Sequence, residues 1–151
     1  MTTYFAYGSN MSVSQMARRC PAAACRGNAS LAGHDFLINC RGFGTIVADA
    51  QSTVHGLLWT LTDPDIASLD EYEGIAVGHY RKEHLPVSFA GETIVAMIYV
   101  ATDPSAGVPE PAYIELIVEA ATARGFSTDY VRRLAKWLPP SVKQSGGSRS
   151  Q

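Results

Sequence analysis

The sequence predicts an α+β domain with a mixed or barrel-like sheet, and three observations lead there. Strand signals dominate the front and middle of the chain, and helix signals dominate its end. Their order does not repeat as strand, helix, strand, as a doubly wound parallel sheet requires. At 151 residues and 46% hydrophobic composition, the chain supplies one core of its own without disulfide or metal staples.

The first element, residues 3–6, is short, apolar and aromatic, and stops at Gly8, which reads as a buried strand entering a turn. Ser12 with Gln15 three residues on matches a capping box, so a helix runs to about Arg19 and is ended by Pro21. Strands are expected at residues 34–40, 45–48, 53–61, 80–87 and 93–100, roughly six with the first. Between the last two pairs lies a short helix within residues 63–74, with Asp63 as N-cap, Pro64 at the first helical position and Gly74 closing it. Two further helices cover residues 111–124, closed by Gly125, and 128–137, closed by Pro139 and Pro140. The domain spans residues 1–138. Residues 139–151 form a tail rich in Ser, Gly, Lys and Gln, with too little apolar material to pack, and are expected to be disordered.

Twelve Lys plus Arg against fourteen Asp plus Glu give a formal net charge of -2, which provides no general basic field for nucleic acid or anionic lipid. No stretch approaches the roughly 20 apolar residues that span a bilayer. Cys20, Cys25 and Cys40 are odd in number and lack metal-type spacing. With no basic leader or cleavage-site pattern at the N-terminus, the chain reads as cytoplasmic with free thiols.

Chemistry is expected at Glu73. At about 100° per residue, the short helix places Glu73 between Ile66 and Leu69, on its apolar face. Asp70 falls at the edge of that face, while Asp65 and Glu71 read as solvated charges. A carboxylate turned toward a core costs free energy unless it is paired, hydrogen-bonded or protonated. Burial and the negative helix end both raise its pKa, as a general base working near neutrality requires. Periodicity leaves open a Glu73 paired with Arg18, Arg41 or Arg81, or a helix that ends sooner and lets the side chain reach water.

The loop Tyr7-Gly8-Ser9-Asn10 joins a buried strand to a helix start, where backbone N–H groups can converge on an anion and Gly8 permits close approach. It lacks the Lys of a nucleotide phosphate loop, and by itself a single glycine with Ser and Asn is in most proteins a plain turn. Arg41-Gly42-Phe43-Gly44 looks like a fragment of a glycine-rich loop but reads better as a turn between strands. His34, His55, His79 and His84 are scattered singly, and neither Cys20 nor Cys25 has a nearby His. Tyr113 and Trp59 are candidates to line a pocket or to fill the core.

Taken together, Tyr4-Phe5-Ala6-Tyr7-Gly8-Ser9-Asn10-Met11 and Leu69-Asp70-Glu71-Tyr72-Glu73-Gly74 followed by Tyr80 resemble the signature of the γ-glutamyl cyclotransferase family. Gly56-Leu57-Leu58-Trp59 before the acidic segment and Pro111-Ala112-Tyr113 after it match in order and spacing, so the resemblance covers residues 3–137. It implies a small mixed β-barrel flanked by helices, no metal or organic cofactor, and release of 5-oxoproline from a small γ-glutamyl substrate. Carried over by position, it makes Tyr4, Phe5, Ala6, Tyr7, Gly8 and Ser9 the substrate loop, Glu73 the proton acceptor and Tyr113 a substrate contact. Asn10 and Met11 place the chain with the γ-glutamyl amino acid branch. The glutathione-cleaving branch tends to carry Leu at the Asn10 position, and the γ-glutamylamine branch Thr-Leu after the glycine. A homodimer is left open.

This chemistry suits the residues. The substrate's own α-amine attacks its γ-carbonyl, so no Ser or Cys nucleophile is needed, and one carboxyl can take that proton and return it to the departing amine. Two alternatives stand beside it. One is the same chemistry on another γ-glutamyl amide, such as a protected biosynthetic intermediate or a γ-glutamyl-lysine crosslink. The other is a binding or regulatory domain that keeps the pocket without turnover.

Overall fold

The computed structural model describes residues 1–140. Five strands, Thr2–Ala6 (β1), Ala24–Ile38 (β2), Gly44–Leu61 (β3), Tyr80–Phe89 (β4) and Glu92–Ala101 (β5), close into a barrel in the order β1-β3-β2-β4-β5. The sheet is mixed: β1 runs parallel to β5, and every other pairing is antiparallel. Among the described residues four α-helices flank it, Val13–Arg19 (α1), Asp63–Tyr72 (α2), Pro111–Ala123 (α3) and Thr128–Ala135 (α4). A 3-10 turn, Ser9–Met11, joins β1 to α1. The architecture is the expected α+β barrel flanked by helices. The tail from residue 141 onward lies outside the described residues.

The core forms where apolar residues of β1 face those of β3, with Tyr4, Phe5 and Ala6 opposite Trp59, Leu58 and Leu57. Phe5, Leu57, Leu58 and Ile98 are fully buried, as are Ile114 and Ile117 of α3 in the same core cluster. Such side chains each contribute about 1.5–3 kcal/mol on burial. The β4–β5 hairpin turns on Ala90 and Gly91, both at positive φ (51° and 80°), as a two-residue turn matching strand twist requires.

Five strands stand where about six were expected. Residues 45–48 and 53–61 belong to one strand, β3. Its pairing jumps from Thr53 opposite Ala32 to Ala48 opposite His34, so residues 49–52 bulge out of the ladder. Asp49 holds that bulge by accepting from the Gln51 amide at 3.0 Å and the Ser52 hydroxyl at 2.9 Å. This polar bulge carries the turn-like composition that reads as a break in the sequence. β2 begins at Ala24, ten residues before the expected start at residue 34. Residues 24–33 are mostly small, with weak intrinsic strand preference, and become a strand by pairing with β3.

The start of α2 also differs. Thr62 is the N-cap, and it forms a reciprocal box with Asp65: the Asp65 amide donates to Thr62 Oγ1 at 3.3 Å and the Thr62 amide donates to Asp65 Oδ2 at 3.1 Å. Asp65 is therefore buried, not solvated, and Pro64 falls one place further into the helix. At α1, Ser12 caps the Gln15 amide as expected, at 3.3 Å. The Gln15 side chain, however, reaches away to the loop before the helix. α4 stops at Ala135, two residues short of the expected end.

Candidate active site

A cavity of about 200 Å³ opens where the end of β1, the 3-10 turn, the end of α2 and the β2–β3 turn meet. Glu73, Tyr4, Tyr7, Gly8, Ser9 and Tyr113 all line it, brought together from both ends of the chain. Phe5 and Ala6 do not line it. The Phe5 ring and the Ala6 carbonyl lie against Gly56 so closely that a Cβ at residue 56 would stand 2.8 Å and 2.4 Å from them. Both residues are buried in the barrel core.

Glu73 is positioned by the way α2 ends. The helix stops at Tyr72, and Glu73 is its C-cap, still in right-handed helical geometry at φ -82° and ψ -5°. The side chain thus keeps nearly the direction that the helical period gives it. Gly74 follows at φ +65°. Its amide donates to the Glu71 carbonyl at 3.2 Å, and the Ile75 amide donates to the Asp70 carbonyl at 3.1 Å, the two bonds of a Schellman motif. A Cβ on Gly74 would come within 2.7 Å of His79, so both the φ angle and the packing call for glycine.

The Glu73 carboxyl makes no hydrogen bond or ion pair among the described residues, although it is half-buried. Burial raises it from 4.5 to about 7, and the Arg19 guanidinium pulls part of that rise back. The cation that acts on Glu73 is thus Arg19 of α1, not Arg18, Arg41 or Arg81. Among the neighbouring carboxylates, Asp70 is engaged by the Tyr99 hydroxyl at 2.7 Å and Lys82 at 2.8 Å, and Glu71 is exposed.

Opposite Glu73 stands the loop. The Gly8 and Ser9 carbonyls accept from the Met11 and Ser12 amides at 3.0 Å and 2.9 Å, while the Gly8, Ser9 and Asn10 amides have no partner among the described residues. The loop is held from α1: Gln15 Nε2 donates to Ser9 Oγ at 2.7 Å and to Asn10 Oδ1 at 3.0 Å, and Arg19 donates to the same Asn10 oxygen at 3.1 Å. A Cβ on Gly8 would face the Tyr113 hydroxyl at 3.5 Å, so a larger side chain there would enter the cavity.

Six tyrosines line the walls; Tyr72 lies under the Arg19 guanidinium, and hydrogen bonds sort the other five. Tyr7 donates to the Tyr99 carbonyl at 2.5 Å, Tyr80 to the Gly44 carbonyl at 2.6 Å and Tyr99 to Asp70. These three spend their proton on the protein. Tyr4 instead accepts from Asn10 Nδ2 at 3.0 Å, and Tyr113 accepts from the Gly44 amide at 2.8 Å, so each keeps an O–H to donate. Burial holds both hydroxyls protonated, Tyr113 being pushed up to about 12 and Tyr4 still further.

Sequence reasoning missed Gln15, Arg19 and Tyr99. Their roles arise from tertiary contacts, though Gln15 and Arg19 do lie one turn apart on the same face of α1. Trp59 is core, with its indole nitrogen buried and unpartnered. His55 packs against Phe126 and Tyr130, and His79 lines the cavity. Among the described residues no cluster of His, Cys, Asp and Glu could hold a metal ion, and no helix is long and apolar enough to cross a membrane.

Residues 53–134, which carry α2 with Glu73 and α3 with Tyr113, match the model of the AIG2-like family over more than half of the chain. The chain belongs to the AIG2-like family. This AIG2-like protein is 29% identical over 153 residues to γ-glutamylcyclotransferase of Mus musculus, covering 93% of its own length and 80% of that protein. With the Homo sapiens γ-glutamylcyclotransferase it shares 28% identity over 148 residues, covering 87% and 76% of the two chains. A solved γ-glutamyl cyclotransferase structure superposes with a TM-score of 0.83 at 25% identity, covering 95% of this chain and 96% of the other. YkqA of Bacillus subtilis, at 20% identity, shares the fold with a TM-score of 0.76 over 89% of this chain and 53% of its own.

Proposed function

We propose that this AIG2-like protein is a γ-glutamylcyclotransferase that releases 5-oxoproline from γ-glutamyl amino acids or related γ-glutamyl amides, with Glu73 as the general acid and base. The observation that carries the reading is a carboxyl raised to about 7 and free of any protein partner, in one cavity with three free loop amides. The names of the mouse and human relatives support the same activity.

The γ-glutamyl α-amine is protonated near neutrality, and attack on the γ-carbonyl requires its lone pair. Glu73, partly ionised near pH 7, takes that proton. The nitrogen then closes a five-membered ring on the carbonyl carbon. Holding the folded substrate conformer makes the reaction intramolecular, which carries a large rate advantage. As the tetrahedral intermediate collapses, the C–N bond of the original amide breaks, Glu73 returns its proton to the departing amine, and the ring nitrogen gives up its remaining extra proton to solvent, from which the freed amine takes one up. Amides of Gly8, Ser9 and Asn10, with the unspent hydroxyls of Tyr4 and Tyr113, donate to the α-carboxylate and to the oxyanion that develops. No nucleophile of the protein takes part.

The test is direct. Purified protein is incubated with γ-glutamyl amino acids, γ-glutamylamines and glutathione, and 5-oxoproline is followed by mass spectrometry. Stoichiometric 5-oxoproline and free amine from at least one class is the expected result. Saturable binding without any turnover across the panel would replace this reading with that of a binding domain.

A further inference from the structure

The glycine-rich turn at Arg41-Gly42-Phe43-Gly44 has no part in the proton transfer, yet it is a built structure at the same cavity. Asn39, buried at 2% exposure, organises it. Its Oδ1 accepts from the amides of Arg41 at 3.0 Å and Phe43 at 3.1 Å, its amide donates to the Phe43 carbonyl at 2.8 Å, and its carbonyl accepts from Gly42 at 2.9 Å. Gly42 sits at φ +89°, where a Cβ would press on the Val108 carbonyl at 3.0 Å. Phe43 stands edge-on to Tyr113, ring centroids 5.3 Å apart, and the Arg41 guanidinium lies over Phe43 at 5.4 Å.

Arg41 and Arg19 both line the cavity, but they are committed differently. Arg19 is engaged with Asn10 and with the face of Tyr72 at 4.1 Å. The Arg41 side chain makes no ion pair or hydrogen bond among the described residues. It is exposed, and its charge reaches Tyr80 on the cavity wall. The turn is rigid, and apart from its place over the Phe43 ring it presents at the cavity edge a guanidinium with no ion pair or hydrogen bond. It fits a planar anion, since the guanidinium fork matches a carboxylate.

The γ-glutamyl half already has its α-carboxylate and γ-carbonyl matched by the loop amides and the two free tyrosine hydroxyls. What remains is the amine half. In a γ-glutamyl amino acid that half bears a second carboxylate, one carbon from the scissile nitrogen, whereas a γ-glutamylamine has none. Resting on the cyclotransferase reading above, we propose that Arg41 is a specificity-determining residue that holds the carboxylate of the departing amino acid and so selects γ-glutamyl amino acids over γ-glutamylamines.

The experiment compares γ-glutamyl-L-alanine with γ-glutamyl-L-alaninamide, which differ only in that carboxylate, using the full chain and 5-oxoproline release. Wild type should favour the acid about tenfold in kcat/KM, mainly through KM, the worth of one charge-assisted contact at a solvent-facing site. Arg41→Gln should raise KM for the acid by about the same factor with kcat within about twofold, bringing the ratio of the two substrates near one, and Arg41→Lys should retain part of the preference. Equal use of both substrates by wild type, or an equal loss on both in Arg41→Gln, would overturn the role of Arg41 and leave the cyclotransferase reading standing. If wild type releases no 5-oxoproline from either substrate, the activity itself fails and the role of Arg41 falls with it.

Discussion

The two ends of α2 each carry a carboxylate withdrawn from bulk water, and they are treated in opposite ways. At the first turn Asp65 is buried but answered, its oxygen accepting the Thr62 amide while its own amide is capped in return. At the other end Glu73 is half-buried with no hydrogen bond or ion pair, only the charge of Arg19 acting on it from α1, at the helix end where the backbone carbonyls already disfavour negative charge. The first arrangement holds a helix in place. The second leaves a carboxyl poised between its two protonation states near neutrality, useful to a reaction and costly to the fold.

The largest expected effect lies at the unanswered end. Glu73→Gln keeps the shape but removes the base, so 5-oxoproline release should fall roughly 10²-fold to 10⁴-fold, measured as kcat on a folded variant. At the answered end, Asp65→Ala should act on stability instead. Loss of the capping box leaves the Thr62 amide unpaired at a partly buried helix start, which costs about 1–2 kcal/mol in chemical denaturation, while kcat of the folded enzyme stays near wild type.

Stability as a function of pH sharpens the comparison. The folded-state pKa of Glu73 is raised, so between about 4.5 and about 7 the folded protein binds more proton than the unfolded chain. Wild type therefore loses stability as pH rises through that window. Glu73→Gln lacks the loss, and its advantage should grow from near zero at pH 4 to about 2 kcal/mol at pH 8, a figure reduced for the solvent that reaches the cavity. Glu71→Gln gives the smallest effect. It removes an exposed charge two residues away and should change stability by less than about 0.5 kcal/mol and turnover not measurably.

Glu73 was legible in the sequence because helical period and a closing glycine both act locally, and the helical geometry of the cap residue extends that period one step past α2. The barrel was legible in class for the same reason, since strand and helix signals are local. The first half of β2 was not, because residues 24–33 carry little strand preference and depend on β3 for their conformation. Asp65 was misread because the N-cap lies at Thr62, one residue earlier than Asp63, and that single step moves its carboxylate from the surface into the box. Which tyrosines keep a free hydroxyl, and which arginine reaches Glu73, depend on contacts of the 3-10 turn with β1 and α1 and of β3 with α3 that no spacing encodes.

The central claim is that Glu73 moves the proton, and the pH dependence of kcat for 5-oxoproline release tests it most directly. With substrate saturating from pH 5 to pH 9, the rate should rise along a limb governed by one group near pH 7 and level off above it, and Glu73→Gln should lose that limb together with most of the rate. A wild-type rate that is flat from pH 5 to pH 8, or the same limb surviving in Glu73→Gln, would contradict the account.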